Sequence, residues 1–443
     1  MKNDSLTHTL GEGLAEIPAL DCHSHIDASH LSARGLHDVL LYHMVISDLY
    51  SAGCPNGGRL AEHPDKNEIH NRISEAIPYL KYIQNTSCYW GLKIILRDLY
   101  HWTEPISEDN WLTLDGLIKE RSTDSDWPRE VMRKANSRRI GTEFWRGHDG
   151  SADDILQYSL EWAFFTRTQW GQNDIPLFEL EKAWNENEPS PPLPVTLESR
   201  PKLDRVIRTI DDVHNAIQHY CDRIPYERVL STAQHFSTDI NYRPVSDSEM
   251  ETALSRRSDA TIQDRDVYAN FILEAFLTEL DKHADEIVYQ FSLGAEPLPY
   301  ETGSKLRQET IFQLAQIFER HPQLRFQVFL SSEHASPALC TLARELPNLS
   351  FAGYWWHNFF PSTIRKVIAD RLDMVAANKQ IGFFSDAYTM EWAYAKAILV
   401  RKQLAEVLAQ KVSQGQYSID DSLSIARQIL FVTPQSLLGM QPA

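Results

Sequence analysis

Two histidines near the start of the chain have the spacing of a metal-binding pair. His23 and His25 follow a short apolar run, residues 17–20, in the segment IPALDCHSHIDASH. The run predicts a buried β-strand. Side chains two apart on a strand point to the same face, so a strand reaching residue 25 would present both imidazoles together. Such a pair can bind zinc or another transition metal. Because the chain has 17 histidines, the spacing alone leaves a surface pair in a polar turn open.

The composition indicates a globular protein, and we expect its partner to be a small-molecule substrate and not a nucleic acid or a membrane. The net charge of −18 argues against nucleic-acid binding and against an anionic membrane surface. No segment has the apolar length of a membrane span, and the first residues lack the apolar core of a signal peptide. The five cysteines show no framework spacing, which is typical of free thiols in a reducing compartment. We therefore expect a cytoplasmic protein, and a homo-oligomer stays open.

Short apolar segments alternate with helical patterns along the chain. Seven segments read as strands, namely residues 17–25, 138–145, 227–236, 286–294, 324–332, 349–356 and 381–386. Helical patterns begin near residues 267, 306, 336, 362 and 390. This alternation predicts parallel βαβ units, and an eighth strand between residues 155 and 178 would complete a (β/α)₈ TIM-type barrel. The alternative is an open doubly wound sheet, although no GxGxxG dinucleotide motif follows a strand.

Residues 31–134 read mostly as helices and so predict a large helical insertion after the first strand. We expect this insertion to belong to a single domain spanning residues 1–443. A lid over the barrel mouth is one role that such an insertion could have.

The ends of the predicted strands carry a crowded set of polar side chains. In a TIM-type barrel, catalytic residues lie at the carboxyl ends of the strands. Glu143 ends the second predicted strand, and Gln234 and His235 end another. Asp386 ends the last strand, which neighbours the first in a closed barrel. Asp386 could therefore supply the carboxylate that the histidine pair lacks, and His235 could be a further ligand.

Several segments resemble those of uronate isomerases, a divergent branch of the amidohydrolase superfamily. They are DCHSHID, DVLLYHMVISDLY, MRKANSRRIGTE, VYQFSLGA, GYWWHN, GFFSDAYTMEWAYAKAILVRKQLAEVL and the ending ILFVTPQSLLGM. Their order and spacing agree from about residue 17 to the C-terminus, with a patchy match over residues 60–225. The resemblance implies a barrel enzyme that uses a divalent metal, zinc being the first candidate, to isomerise a sugar acid.

The resemblance also implies roles for individual residues. His23 and His25 match its metal-binding pair, and Asp386 matches the aspartate that serves as both ligand and base. Tyr42 and His43 match active-site positions, where either side chain would orient a substrate oxygen.

Substrate-binding positions agree less well with the family pattern. Trp355 and Trp356 match its aromatic pair. Three positions depart, with Ser292 for a histidine, Gln234 for an aspartate, and Ala387–Tyr388 for Ser-Arg. The arginine that the family uses to hold its substrate has three candidates here, Arg146, Arg167 and Arg243. Tyrosine cannot form the bidentate hydrogen bonds that arginine makes with a carboxylate, so Tyr388 would bind a sugar acid differently.

Other reactions fit the same three ligands. In a metal-dependent hydrolase of this superfamily, Asp386 would deprotonate a water molecule whose pKa the metal lowers. A lyase acting on a hydroxy acid is a further alternative. A binding protein without catalysis is the third class, and the retention of His23, His25 and Asp386 argues against it.

Overall fold

A computed structural model describes the chain from residue 2 to residue 442, apart from residues 56–67, 148, 163–172, 187–199, 237–241, 294–307, 332 and 355–359. Eight parallel strands form one sheet in which every strand pairs with the next along the chain. They are β1 (Ala19–Asp21), β2 (Ser137–Glu143), β3 (Leu156–Trp162), β4 (Val229–Phe236), β5 (Val288–Leu293), β6 (Arg325–Leu330), β7 (Leu349–Ala352) and β8 (Gln380–Ile381).

The sheet closes on itself just beyond the ends of β8 and β1. The backbone N–H of Asp386 donates to the carbonyl of His23 at 2.9 Å, and the N–H of His25 donates to the carbonyl of Ala387 at 2.8 Å. These bonds continue the parallel pattern between the last and the first strand. The (β/α)₈ TIM-type barrel is therefore confirmed, and the doubly wound sheet, whose strand order reverses, is excluded.

The eighth strand lies where it was predicted, as β3 within residues 155–178. The first strand is shorter than predicted and ends at Asp21 instead of residue 25. The reason is local: the N–H of His23 turns to the carboxylate of Asp21 at 3.4 Å, and the N–H of Ile26 turns to the hydroxyl of Ser24 at 3.3 Å. Side chains that bond nearby backbone groups compete with a strand ladder, so both histidines follow the strand.

Helices surround the barrel. Those before β2 are α1 (Lys2–Glu16), α2 (Leu36–Leu40), α3 (His43–Ser51), α4 (Glu68–Ala76), α5 (Ser87–Tyr100), α6 (Trp111–Ser122) and α7 (Trp127–Lys134). Between β3 and β6 come α8 (Ile175–Asn185), α9 (Ile210–Cys221), α10 (Asp247–Ser255), α11 (Ile262–Leu280) and α12 (Gln308–Arg320). The remainder are α13 (Ser336–Glu345), α14 (Pro361–Met374), α15 (Met390–Ser413), α16 (Ile419–Arg427) and α17 (Thr433–Leu438). None of the helices in the described part of the chain is both long and apolar enough to span a membrane.

The stretch 31–134 is mostly helical, as the sequence indicates, and hydrogen bonds connect it to α15. Glu391, at the start of α15, is fully buried. Its carboxylate accepts hydrogen bonds from the Ala33 N–H, the Tyr100 hydroxyl and the Trp127 indole, each at 2.9 Å. Charge-assisted bonds of this kind are stronger than neutral ones. The inserted helices are therefore held close to the strand β8 that precedes α15, while the single-domain boundary and the lid role stay predictions.

The barrel interior is more polar than continuous apolar strands would suggest. Ser231 Oγ lies 2.7 Å from Ser159 Oγ and 2.8 Å from Gln290 Oε1, and Gln290 Nε2 donates to Gln327 Oε1 at 2.8 Å. All four side chains are buried. Buried polar groups are tolerated when they bond one another, so this chain of contacts links β3, β4, β5 and β6 across the barrel.

Candidate metal centre

His23, His25 and Asp386 come together at the carboxyl end of β1, where the barrel closes. Their ligand atoms all lie within 4.8 Å of one another. Asp386 Oδ1 is 3.5 Å from His23 Nε2 and 3.2 Å from His25 Nε2. His23 and Asp386 are buried, whereas the His25 side chain is 18% exposed. Two imidazole nitrogens and one carboxylate oxygen thus converge next to a partly open face.

The donor set fits a divalent metal ion. Asp386 Oδ1 is buried and accepts no hydrogen bond, although two imidazoles stand beside it. Buried carboxylate oxygens almost always have a partner, and a cation between the three side chains would supply one. Nitrogen and oxygen donors in this number suit zinc and similar transition metals. Among the described residues, this is the one group of three or more potential ligands.

The backbone of Asp386 adopts the left-handed conformation, with φ at +52°. Asp and Asn enter this region more readily than other non-glycine residues, but it remains uncommon. Three bonds hold it: the Asp386 N–H to the His23 carbonyl, the Tyr42 hydroxyl to the Asp386 carbonyl at 3.0 Å, and the Ala387 N–H to Ser385 Oγ at 3.3 Å. Backbone strain held in place by surrounding contacts is typical of functional sites.

The Asp386 carboxyl is ionised in this environment. Burial alone would raise its pKa, but the imidazoles of His23 and His25 and the cation of Lys396 lower that pKa well below its usual range. The group is therefore available as a metal ligand or as a base.

At His43, burial outweighs the attraction of the nearby Asp386 charge. It lowers the imidazole pKa to about 3 and leaves the ring neutral at neutral pH.

Tyr42 and His43 begin α3 and reach the centre from the helical insertion. The Tyr42 hydroxyl donates to the Asp386 main-chain carbonyl, and its ring stacks on Trp392 with the centroids 4.3 Å apart. His43 Nε2 lies 3.9 Å from Asp386 Oδ2. The structure thus brings both predicted residues to the site. It makes Tyr42 a buried support for Asp386, and it leaves His43 beside the Asp386 carboxylate with 18% of its side chain exposed.

Tyr388, predicted to bind substrate, lies at the mouth of the centre. Its ring stacks on His25 with centroids 4.9 Å apart and meets the edge of His43 at 5.3 Å. The side chain is 42% exposed. It therefore covers one side of the metal ligands while leaving its own outer face to solvent.

Two residues that the strand pattern did not assign to the metal centre stand directly behind it. Glu143 Oε1 lies 3.1 Å from His25 Nδ1, and Arg146 contacts the other carboxylate oxygen. Glu143 was visible in the sequence only as one of many strand-end polar residues. Its partner, 118 positions away, depends on the pairing of β1 with β2.

Lys396 is the residue that sequence reasoning missed altogether. It is 2% exposed on α15, with Nζ 5.2 Å from the centre of the Tyr42 ring. Burial lowers its pKa, and the nearby Asp386 and Asp21 oppose that effect. One signal was available: a lysine stands on the face of α15 that also carries the buried Trp392 and Val400, where an amphipathic helix normally has apolar residues.

Of the remaining predicted site residues, only Arg243 has a side chain in the described part of the structure. Arg243, predicted to bind substrate, is instead half exposed and pairs with Glu249 at 2.8 Å. Arg243 just precedes α10 and meets an acid in that helix's first turn, and its role in substrate binding stays a prediction. Gln234 and His235 lie in β4, but their side chains are outside the described part of the structure, as are Trp355 and Trp356 and the candidate Arg167.

Comparisons with known proteins find the same fold. No protein-family model matches the chain, and no curated protein matches it significantly. A uronate isomerase from Thermotoga maritima superposes with a TM-score of 0.80 at 12% identity, covering 98% of this chain and 97% of that one. A glucuronate isomerase from Caulobacter crescentus gives 0.79 at 15% identity, over 99% and 95%. A provisionally assigned metal-dependent hydrolase from Lactobacillus casei gives 0.56 at 11%, over 97% of both chains. The chain therefore has the barrel fold of the uronate isomerases over nearly its whole length.

Proposed function

We propose that the protein is a metal-dependent isomerase that interconverts the open-chain aldose and ketose forms of a sugar acid or a related small polyhydroxy acid. One observation carries the proposal: the buried Asp386 Oδ1 accepts no hydrogen bond and faces two imidazole nitrogens at the barrel mouth. His23, His25 and Asp386 would hold a divalent ion, zinc being the first candidate. The fold shared with two isomerases of sugar acids supports the reaction type.

The residues of the site suit proton transfer between neighbouring carbons. A bound divalent ion would act as a Lewis acid toward the carbonyl and the adjacent hydroxyl. Asp386, ionised and buried, would take the proton from C2 of the aldose and return it to C1, while the proton of the C2 hydroxyl passes to the C1 oxygen. Tyr42 holds the backbone of this base through its carbonyl. Because His43 is neutral and lies 3.9 Å from Asp386 Oδ2, it can bond a substrate oxygen beside the base.

A metal-dependent hydrolase is the second candidate. Tyr388 occupies the position where the resemblance to uronate isomerases predicts an arginine, and a phenol lacks the charge that holds a sugar carboxylate. With the same ligands, Asp386 would take the proton from a water molecule that attacks an ester, lactone or amide carbonyl. The fold similarity to the Lactobacillus casei protein agrees with this alternative but is weaker than the similarity to the isomerases.

Metal content and substrate screening test these proposals together. Wild type should contain about one divalent ion per chain by elemental analysis, and Asp386→Asn and the double variant His23→Asn/His25→Asn should lose it. Asparagine tolerates left-handed backbone, so Asp386→Asn removes the ligand without adding backbone strain. His8→Asn, at a histidine that is 77% exposed on α1, is the control and should keep the metal.

The outcomes separate the two reactions. Ketose formation from glucuronate or galacturonate, lost in Asp386→Asn, supports the isomerase. Hydrolysis of lactones, esters or amides without isomerisation supports the hydrolase. Wild type that takes up no divalent metal after reconstitution would refute both.

A further inference from the structure

We infer that Glu143 is a positioning residue of the metal centre, which orients the His25 ring so that Nε2 is the nitrogen offered to the metal. This inference rests on the metal site proposed above. The His25 ring lies between two carboxylates, with Nδ1 3.1 Å from Glu143 Oε1 and Nε2 3.2 Å from Asp386 Oδ1. The hydrogen bond with Glu143 therefore holds the ring on its Nδ1 side, while Nε2 faces Asp386.

The hydrogen bond to Glu143 selects the tautomer of His25. A carboxylate only accepts hydrogen bonds, so Nδ1 must carry the hydrogen in the bond to Glu143. In the neutral ring this leaves the lone pair on Nε2, the nitrogen directed at Asp386 and His23. Carboxylate partners of this kind fix the orientation of metal-binding histidines and raise their basicity.

Glu143 is itself held in place by the close approach of two segments. It is the last residue of β2 and is 7% exposed. Gly141, two residues earlier, lies so near the first strand that an added Cβ would be 2.6 Å from the carbonyl oxygen of Cys22. The Thr142 hydroxyl donates to the Ile26 carbonyl at 2.7 Å, which joins the end of β2 to the segment that carries His25.

Arg146 holds the second oxygen of Glu143. Its guanidinium contacts Oε2 and lies over the Trp145 ring, with 4.1 Å from Cζ to the ring centre. The side chain is only 17% exposed. With one oxygen on Arg146 and the other on His25, the Glu143 carboxylate cannot rotate freely. Arg146 thus acts on the metal centre through Glu143, and its charge is already matched within the protein.

A purely structural ion pair between Glu143 and Arg146 would stabilise the fold without affecting metal affinity. The two roles are separated by measuring zinc affinity, by competition with a chromophoric chelator, beside thermal stability. Glu143→Gln keeps an acceptor but loses the charge, and Glu143→Leu loses both. Arg146→Met removes the support of the carboxylate. Glu130→Gln is the control, because Glu130 forms a surface pair with Lys134.

We expect zinc affinity to fall in the order wild type, Glu143→Gln, Glu143→Leu, with a total loss of roughly 10- to 100-fold. Arg146→Met should show a smaller loss, and the control none. In the zinc-loaded protein, nitrogen NMR of labelled histidine should show His25 with its hydrogen on Nδ1 and its Nε2 on the metal in wild type, and this form should be depleted in folded Glu143→Leu.

Two results would overturn the inference in different ways. If wild type binds no zinc, the metal site fails and the inference fails with it. If wild type binds zinc and both Glu143 variants bind it within twofold of wild type, the metal site stands and the positioning role is wrong. An unchanged His25 form in folded, zinc-loaded Glu143→Leu would equally contradict it.

Discussion

Replacing Gly141 with alanine tests the packing that brings the metal ligands together. The new Cβ would lie 2.6 Å from the carbonyl oxygen of Cys22, 2.8 Å from its carbonyl carbon and 3.3 Å from the Asp21 oxygen. All three are backbone atoms, so no side chain can rotate out of the way. Carbon–oxygen contacts between strands are normally about 3.3 Å or longer, and β1 and β2 must therefore separate by roughly 0.7 Å.

The size of the effect follows from this displacement. Forcing an extra carbon into a packed interior costs about 1–3 kcal/mol, so the free energy of unfolding should fall by that amount. Glu143 lies two residues further along β2, and its 3.1 Å contact with His25 would lengthen with the strand. Zinc affinity should therefore fall together with stability in Gly141→Ala.

Urea denaturation and zinc competition measure the two effects on the same samples. The control is Gly116→Ala on α6, where an added Cβ meets nothing within 4 Å. Alanine is favoured over glycine in a helix by about 1 kcal/mol, so the control should gain stability and keep its zinc affinity. If Gly141→Ala has wild-type stability and wild-type zinc affinity, the two strands are not packed as described and the reasoning fails.

Four further substitutions have defined outcomes. Tyr42→Phe leaves the buried carbonyl of Asp386 without its donor, so unfolding should become easier by about 1 kcal/mol in urea, and turnover should fall. Asp386→Ala should be less stable than Asp386→Asn by about 1–2 kcal/mol, because alanine is strained in the left-handed conformation; equal stability would contradict the φ of +52°. Glu391→Ala leaves the buried Tyr100 hydroxyl and the buried Trp127 indole without their acceptor, so the free energy of unfolding in urea should fall by about 3 kcal/mol or more. Burial alone would lower the pKa of His321, but two carboxylates beside it raise that pKa. Its stabilising charge is therefore fully present below about pH 6.5 and is lost as pH rises through the raised value. His321→Asn should lose more stability at pH 5.5 than at pH 8.5, and an equal loss at both pH values would refute the assignment.

Local patterns predicted the order of strands and helices well. The barrel strands are short apolar runs separated by helical periodicity, and both signals come from residues close in sequence. The end of β1 was predicted less well. Asp21 and Ser24 bond the backbone of His23 and Ile26 and stop the strand early. Hydrophobic periodicity carries no information about such hydrogen bonds from backbone N–H groups to side chains.

The grouping of His23, His25 and Asp386 was predictable for a different reason. In a parallel barrel the strand ends share one rim, so a histidine pair after the first strand and an aspartate after the last are neighbours before any contact is known. The same rule says less about Arg243, whose guanidinium pairs with Glu249 of the next helix.

The sequence by itself predicted a barrel, the positions of its strands and the three side chains proposed to hold a metal, because these depend on periodicity, on one rule of strand ends and on the resemblance to uronate isomerases. Only the tertiary structure decided what supports them. Glu143 meets His25 through the pairing of β1 with β2, Tyr42 meets the Asp386 carbonyl from an inserted helix, and Lys396 lies against the Tyr42 ring. Such contacts join residues more than a hundred positions apart, and their geometry is set by packing between elements.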